Sequence, residues 1–203
     1  YLAHDPGLGK SLTAIAIARV LRAQRIVVVC PVVALGVWRG QLEKWWPGVH
    51  ARICHDLWVT DTEMECSPDV IVTNYDRLLG SKNRRVRDLC RWKPGLLILD
   101  EAHYIKNPSA QRTKAVARIA AVSEYRLLLS GTPAHSPLDW YSQFKIVSPQ
   151  KPLWQLRFPE YRDKVAFLGG PYGTWVEGWR PEGKTEALRA MDRSALREIG
   201  LRA

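Results

Sequence analysis

Four short runs of this chain are almost continuously apolar, and each is followed by a stretch whose apolar residues fall at helical spacing. The runs are RIVVVC (25–30), DVIVTN (69–74), LLILD (96–100) and YRLLLS (125–130). Continuous branched runs of this length suit strands buried on both faces, hence a parallel sheet. Helical spacing covers Ser11–Arg22, Leu35–Trp45, Arg84–Arg91 and Ser109–Ala121. The alternation predicts an α/β fold in three layers, a mainly parallel sheet flanked by helices. A further strand is expected to end near Ala3, with most of it lying ahead of the first residue. After Ser148 the pattern loosens. FLGGPYGTWVEGW (167–179) reads as an irregular Gly- and aromatic-rich insertion. From Glu182 to Ala203 helical spacing returns through Leu188, Met191, Ala195 and Ile199.

Composition changes this picture in three ways. The length, 203 residues, suits one large domain with an appendage. Lys and Arg total 30 against 20 Asp and Glu, a formal charge of +10 and a pI of about 9.7, which favours a polyanionic partner, most simply nucleic acid, with a solvated basic surface as the alternative. No apolar run approaches the ~20 residues of a membrane helix. The chain starts at Tyr1 and not at Met, so it reads as a fragment and a missing targeting signal carries little weight. Cys30, Cys54, Cys66 and Cys90 form no C-x-x-C pair, so neither a zinc nor a thioredoxin-type site is suggested, and a reducing compartment fits best.

The candidate chemistry begins at HDPGLGKS (4–11), where a loop meets a helix. Gly7 and Gly9 lack Cβ, so the turn can be sharp and its N–H groups can approach an anion. Those N–H groups form a nest at the positive end of the following helix. Lys10 is placed to reach the β- and γ-phosphates of a nucleotide, and the Ser11 hydroxyl to ligate Mg²⁺. The candidate binding set is therefore Gly7, Leu8, Gly9, Lys10, Ser11 and Leu12. The full pattern G-x-x-x-x-G-K-[ST] fails at its first position, where His4 stands.

LLILDEAH (96–103) puts two carboxylates at the end of a buried strand, the side of a doubly wound sheet where ligands bind. Asp100 suits Mg²⁺ through its water shell, and Glu101 suits orienting and deprotonating an attacking water. In LLLSGTP (127–133), Ser130, Gly131 and Thr132 form a small polar turn that can register the state of the γ-phosphate. A nucleoside triphosphate and Mg²⁺ are what this set implies.

Together these segments resemble the helicase-like ATPases of superfamily two, and among them the Swi/Snf-type translocases. LAHDPGLGKSLTAIAIA is similar to motif I of that family. VVVCPVVALGVWRGQLEKWWP (27–47) is similar to motif Ia, and DVIVTNYDRL (69–78) to motif Ib. LLILDEAHYIKNPSAQRTKAV (96–116) resembles the DEAH box, and RLLLSGTPAHSPLDWYSQFKIVSP (126–149) motif III. The DPGLGK form is one associated with phage and bacterial relatives, which would set the protein in the cytoplasm, at a bacterial or phage-infected nucleoid.

The resemblance implies a RecA-like, P-loop NTPase lobe over 1–149, with 150–203 leading towards a second lobe. It implies DNA-stimulated ATP hydrolysis, coupled to movement along duplex DNA, with Lys10, Asp100 and Glu101 catalytic. It implies that His103 couples the site to Ser130, Gly131 and Thr132. It also implies that Pro31, Thr73, Asn74 and Tyr75 face the phosphate backbone. Nothing resembles motifs IV to VI, whose arginines complete such sites from the second lobe. The isolated chain is therefore expected to be weakly active or inactive.

A nucleic-acid- or protein-docking module with a vestigial nucleotide site is the alternative, and intact Lys10, Ser11, Asp100 and Glu101 stand against it. An AAA-type ATPase is a third reading, disfavoured by His4 and by the SGTP run. In SKNRRVRDLCRWK (81–93), Arg84, Arg87 and Arg91 share one helical face and read as solvated.

Overall fold

The computed structural model describes residues 1–54, 68–79, 84–169 and 175–179, the last stretch together with 167–169 as backbone only. In chain order the elements are α1 (Lys10–Val20), β1 (Ile26–Cys30), α2 (Leu35–Trp45), β2 (Ala51–Ile53), β3 (Val70–Asn74), α3 (Arg84–Trp92), β4 (Leu96–Leu99) and α4 (Gln111–Val122). They continue through β5 (Tyr125–Leu128), α5 (Trp140–Val147), α6 (Pro152–Gln155), α7 (Phe158–Val165), β6 (Ala166–Gly169) and β7 (Trp175–Trp179).

Strands β1 to β5 form one sheet in the order β2-β3-β1-β4-β5, and every pairing is parallel. β1 lies at its centre and is buried along its whole length. Successive side chains of a strand point to opposite faces. Val27 and Val29 therefore enter one core with Val86, Leu89, Val116, Ile119 and Ile146 of α3, α4 and α5. Ile26, Val28 and Cys30 enter the other with Ala14, Ile15, Leu35, Trp38 and Leu42 of α1 and α2. Unbroken apolar runs are needed because both faces are covered.

The strand expected near Ala3 is present as a stub. Leu2 pairs in parallel with Leu129, its N–H donating to Leu128 O at 2.7 Å while Ser130 N donates to Leu2 O at 3.1 Å. The Gly loop thus leaves the sheet beside β5. Since all strands run the same way, every segment following a strand emerges at one end of the sheet.

Over 152–165 the chain is more regular than expected: α6 and α7 bury Trp154 and Tyr161 fully against Tyr141 and Phe144 of α5. Aromatic packing, rather than regular apolar spacing, holds these helices, which is why periodicity missed them. Within 167–179, the described residues of β6 and β7 pair antiparallel with a register shift at Phe167/Leu168. The helix expected over 182–203 lies outside the described residues. Among those residues, no helix is long and apolar enough to cross a membrane.

Candidate functional site

Gly7 and Gly9 adopt φ of +85° and +75°, left-handed values that side chains rarely take. Gly9 is the N-cap of α1, and Thr13 N bonds back to its carbonyl at 2.9 Å. The first turn of α1 thus points free N–H groups into the loop's concavity. Lys10 Nζ crosses the loop and donates to the carbonyls of His4 (2.8 Å) and Asp5 (3.1 Å). An ammonium has three donors, so one remains for a phosphate oxygen. The side chains of Leu8 and Leu12 are exposed, and what they can offer an anion is backbone N–H.

The end of β4 opens on the same end of the sheet as this loop. Asp100 is only 9% exposed. Its Oδ2 accepts from Trp38 Nε1 at 2.8 Å and its Oδ1 from Glu101 N at 3.0 Å. Burial pushes the Asp100 carboxyl above its usual range, and the Glu101 charge adds to this; the Trp38 and Glu101 N–H bonds and the Lys10 charge oppose it. The Lys10 contribution means that the ammonium and the carboxylate share one electrostatic neighbourhood.

Glu101 sits at φ 50°, ψ 56°, a left-handed conformation costing an ordinary residue ~1–2 kcal/mol. The turn is held by Ala102 N to Leu129 O (2.8 Å) and Tyr104 N to Glu101 O (3.0 Å). It leaves the Glu101 side chain half-buried beside the loop, with Oε2 3.2 Å from His103 Nδ1. The same nitrogen lies 3.3 Å from Ser130 Oγ, which also accepts from Thr132 N at 3.2 Å.

Gly131 stands directly behind the Gly loop: a Cβ there would lie 3.0 Å from Pro6 Cδ. The polar turn after β5 therefore touches the phosphate-loop segment itself.

The donor set fits a hydrated Mg²⁺. Among the described residues no cluster of three or more His, Cys, Asp or Glu could form a dedicated metal cage. One carboxylate and one hydroxyl beside a triphosphate seat are what Mg²⁺ uses, since it keeps most of its water. Asp100 and Ser11 would hold it, and a dication would favour ionised Asp100 against the pull of burial.

The expected nucleic-acid contacts divide. Pro31 is half-buried at the end of β1, next to Val32 and Val33, which are 55% and 87% exposed. Thr73, Asn74 and Tyr75 are all buried. Asn74 Oδ1 caps Arg77 N at 3.0 Å, and Tyr75 Oη donates to Asp100 O at 2.8 Å. In this arrangement their side chains turn into the domain. Arg84, Arg87 and Arg91 are exposed along α3, as a solvated face requires.

Sequence reasoning missed the Trp38–Asp100 bond, because the partners are 62 positions apart and either reads as an ordinary residue of its own motif. It also missed Gln143. This amide is fully buried, accepts from Tyr1 Oη at 2.6 Å and donates to Pro133 O at 2.7 Å.

Comparison with known proteins agrees with this geometry. A family of SNF2-related domains matches residues 1–166, past Pro149 and through α7. A Caenorhabditis elegans protein, the homolog of SWI/SNF-related matrix-associated actin-dependent regulator of chromatin subfamily A-like protein 1, is 33% identical over 150 residues, covering 72% of this chain and 21% of its own. The Xenopus tropicalis protein of that name is 30% identical over 187 residues, covering 91% of this chain and 18% of its own. The Sulfolobus solfataricus SWI2/SNF2 ATPase core in complex with dsDNA superposes with a TM-score of 0.68 at 29% identity, covering 81% of this chain and 34% of that one. The chain thus spans about a fifth of the length of these curated relatives. With a RecA-like parallel sheet, a glycine-lysine loop and an acidic pair at one end of it, the chain belongs to the SNF2-related domain family of helicase-like ATPase cores.

Proposed function

We propose that this chain is the first, ATP-binding lobe of a DNA-stimulated ATPase that moves along duplex DNA. The observation that carries the reading is the convergence of the Lys10 loop and the Asp100–Glu101 turn at one end of a parallel sheet. The Gly7–Leu12 backbone and Lys10 grip the phosphates. Ser11 and Asp100 would hold Mg²⁺, which would neutralise charge on the phosphate oxygens. Glu101 orients the attacking water and takes its proton, in a pose set by the left-handed turn and by His103. Charge on the γ-phosphate is sensed by Ser130 and Thr132, one residue from the Gly131–Pro6 contact.

A second lobe carrying arginines completes the site, so residues 1–149 form one half of it and the following segment leads towards the other. A complete arginine finger is worth ~10³–10⁵ in rate by analogy with GTPases. Duplex DNA is the partner, gripped through its backbone, with the turn at Pro31 as the contact nearest the nucleotide site. The excess of 30 basic over 20 acidic residues supports a polyanion. The DPGLGK loop supports a phage or bacterial setting, in the nucleoid.

The test is ATP turnover by the full-length protein with and without duplex DNA, for wild type, Lys10→Ala and Glu101→Gln. DNA-stimulated turnover is expected in the wild type alone. Lys10→Ala, which removes a charged donor, is expected to weaken Mg·ATP binding by ~10–100-fold, whereas Glu101→Gln retains binding. DNA affinity without nucleotide binding in the wild type would instead establish the docking module with a vestigial site.

A further inference from the structure

Three buried tryptophans differ in what becomes of the indole N–H. In Trp92 and Trp154 the buried Nε1 has no hydrogen-bond partner, so those rings serve packing alone. In Trp38 the N–H is used: it donates to Asp100 Oδ2 at 2.8 Å, with the ring 1% exposed and the carboxylate 9% exposed. The ring has no freedom to move away. It stands on the buried face of α2 with Leu35 and Leu42, packed among Val28, Val72 and Ile98 of the sheet.

Asp100 is held from its other sides as well. Tyr75, also buried, donates its hydroxyl to the Asp100 carbonyl at 2.8 Å. Glu101 N donates to Oδ1 at 3.0 Å, and Asp100 N donates to Val29 O at 2.8 Å. Each polar atom of the residue therefore has a fixed protein partner, and each carboxylate oxygen keeps a lone pair for a metal-bound water. The two side-chain donors come from α2 and from the end of β3, elements that supply none of the phosphate-gripping residues.

We propose that Trp38 and Tyr75 are positioning residues for the metal-holding carboxylate. The indole N–H fixes the direction of the Asp100 side chain, and the Tyr75 hydroxyl fixes the turn that carries Asp100 and Glu101. Neither ring touches a reactant; both act through Asp100. The assignment rests on the nucleotide-site reading above. Hydrogen-bond partners one step removed from a metal commonly matter ~10–100-fold for metal affinity or activity, because they orient the ligand.

The experiment measures binding of N-methylanthraniloyl-ATP to the full-length protein, in EDTA and in saturating Mg²⁺. The quantity read is the ratio of the two affinities. Trp38→Phe keeps a large apolar ring and removes the donor. It is expected to leave the metal-free affinity unchanged and to lower the Mg²⁺-dependent gain by roughly tenfold. Tyr75→Phe removes one hydroxyl and is expected to lower the same ratio by a smaller factor. A purely structural role would lower the melting temperature and leave the ratio at its wild-type value in both variants, which overturns the proposal. Should Trp38→Phe fail to fold, the ratio for Tyr75→Phe decides it in the same way. A wild-type protein whose nucleotide affinity ignores Mg²⁺ overturns the nucleotide-site reading itself, an outcome distinct from unchanged ratios in the variants.

Discussion

His103 reaches Ser130 with the same ring nitrogen that reaches Glu101: Nδ1 lies 3.3 Å from Ser130 Oγ and 3.2 Å from Glu101 Oε2. One proton assignment satisfies the whole neighbourhood. Nδ1–H donates towards both oxygens, the Ser130 hydroxyl bonds Tyr1, and Tyr1 Oη donates to Gln143 Oε1 at 2.6 Å. Gln143 then ties the Pro133 and Asp139 carbonyls to α5. The imidazole is thus the joint between the Glu101 carboxylate and the turn after β5.

Removing that joint should separate binding from chemistry. His103→Ala is expected to leave Mg·ATP affinity near wild type and to lower kcat by roughly tenfold or more, the size of losing an orienting partner. Ser130→Ala is expected to cost less, since Glu101 keeps its imidazole. Steady-state turnover and equilibrium nucleotide binding on the same preparations check both. A parallel rise in Kd would show that the histidine holds the loop, not the carboxylate.

Gly131 offers a steric probe of the contact between the two loops. An added Cβ would stand 3.0 Å from Pro6 Cδ and 3.2 Å from Pro6 Cγ, a tight contact that asks Pro6 to give by a few tenths of an ångström. The Pro6 ring is stiff and stands just before the left-handed Gly7, so the phosphate loop itself must shift. Gly131→Ala is therefore expected to weaken Mg·ATP binding clearly while the melting temperature falls little, because the strain falls on an exposed loop. Isothermal titration and thermal denaturation separate the two effects.

How much of this was legible beforehand depends on the range of the interaction. α2 was placed at Leu35–Trp45, where it stands, because three buried residues on one face set its spacing. β2 was missed: Ala51–Ile53 has three half-buried residues and no apolar run, and only pairing with β3 makes it a strand. The loop and the acidic pair were legible because backbone geometry and sheet direction place them. The supporting residues Trp38, Tyr75 and Gln143 were not legible as such, because their partners come from other elements and a buried donor has no local signature. The inward orientation of Thr73 and Asn74 was not legible either, because a strand end reads the same whether its side chains turn outward or inward.

Alkaline pH should expose the buried acids. Burial pushes the Cys30 thiol from 9.0 up to about 12, and Tyr1, Tyr75 and Tyr161 are raised above 10.0 for the same leading reason. Between the unfolded and folded values the native state holds protons that the unfolded chain has released. Stability therefore falls as pH rises through that window, by up to ~1.4 kcal/mol per unit for each group. Urea midpoints are expected to be flat from pH 7 to 8.5 and to decline above pH 9. Cys30→Val should make the decline between pH 9 and 10 shallower, leaving the tyrosines to act above 10.

Thr73 gives the sharpest test of the inward-facing strand end. Its Oγ1 is buried without a hydrogen-bond partner, and the residue is fully buried in register with Val29 of β1. An unsatisfied buried hydroxyl carries a desolvation cost of ~1–3 kcal/mol that a methyl group of the same shape does not. Thr73→Val is therefore expected to raise the urea midpoint, and the melting temperature with it, while duplex affinity and its salt dependence stay unchanged. If the hydroxyl instead turns out to a phosphate when DNA binds, Thr73→Val would weaken duplex binding. The stability gain would persist, because it belongs to the free protein. Measuring both on one variant decides which way the strand end faces when the protein works.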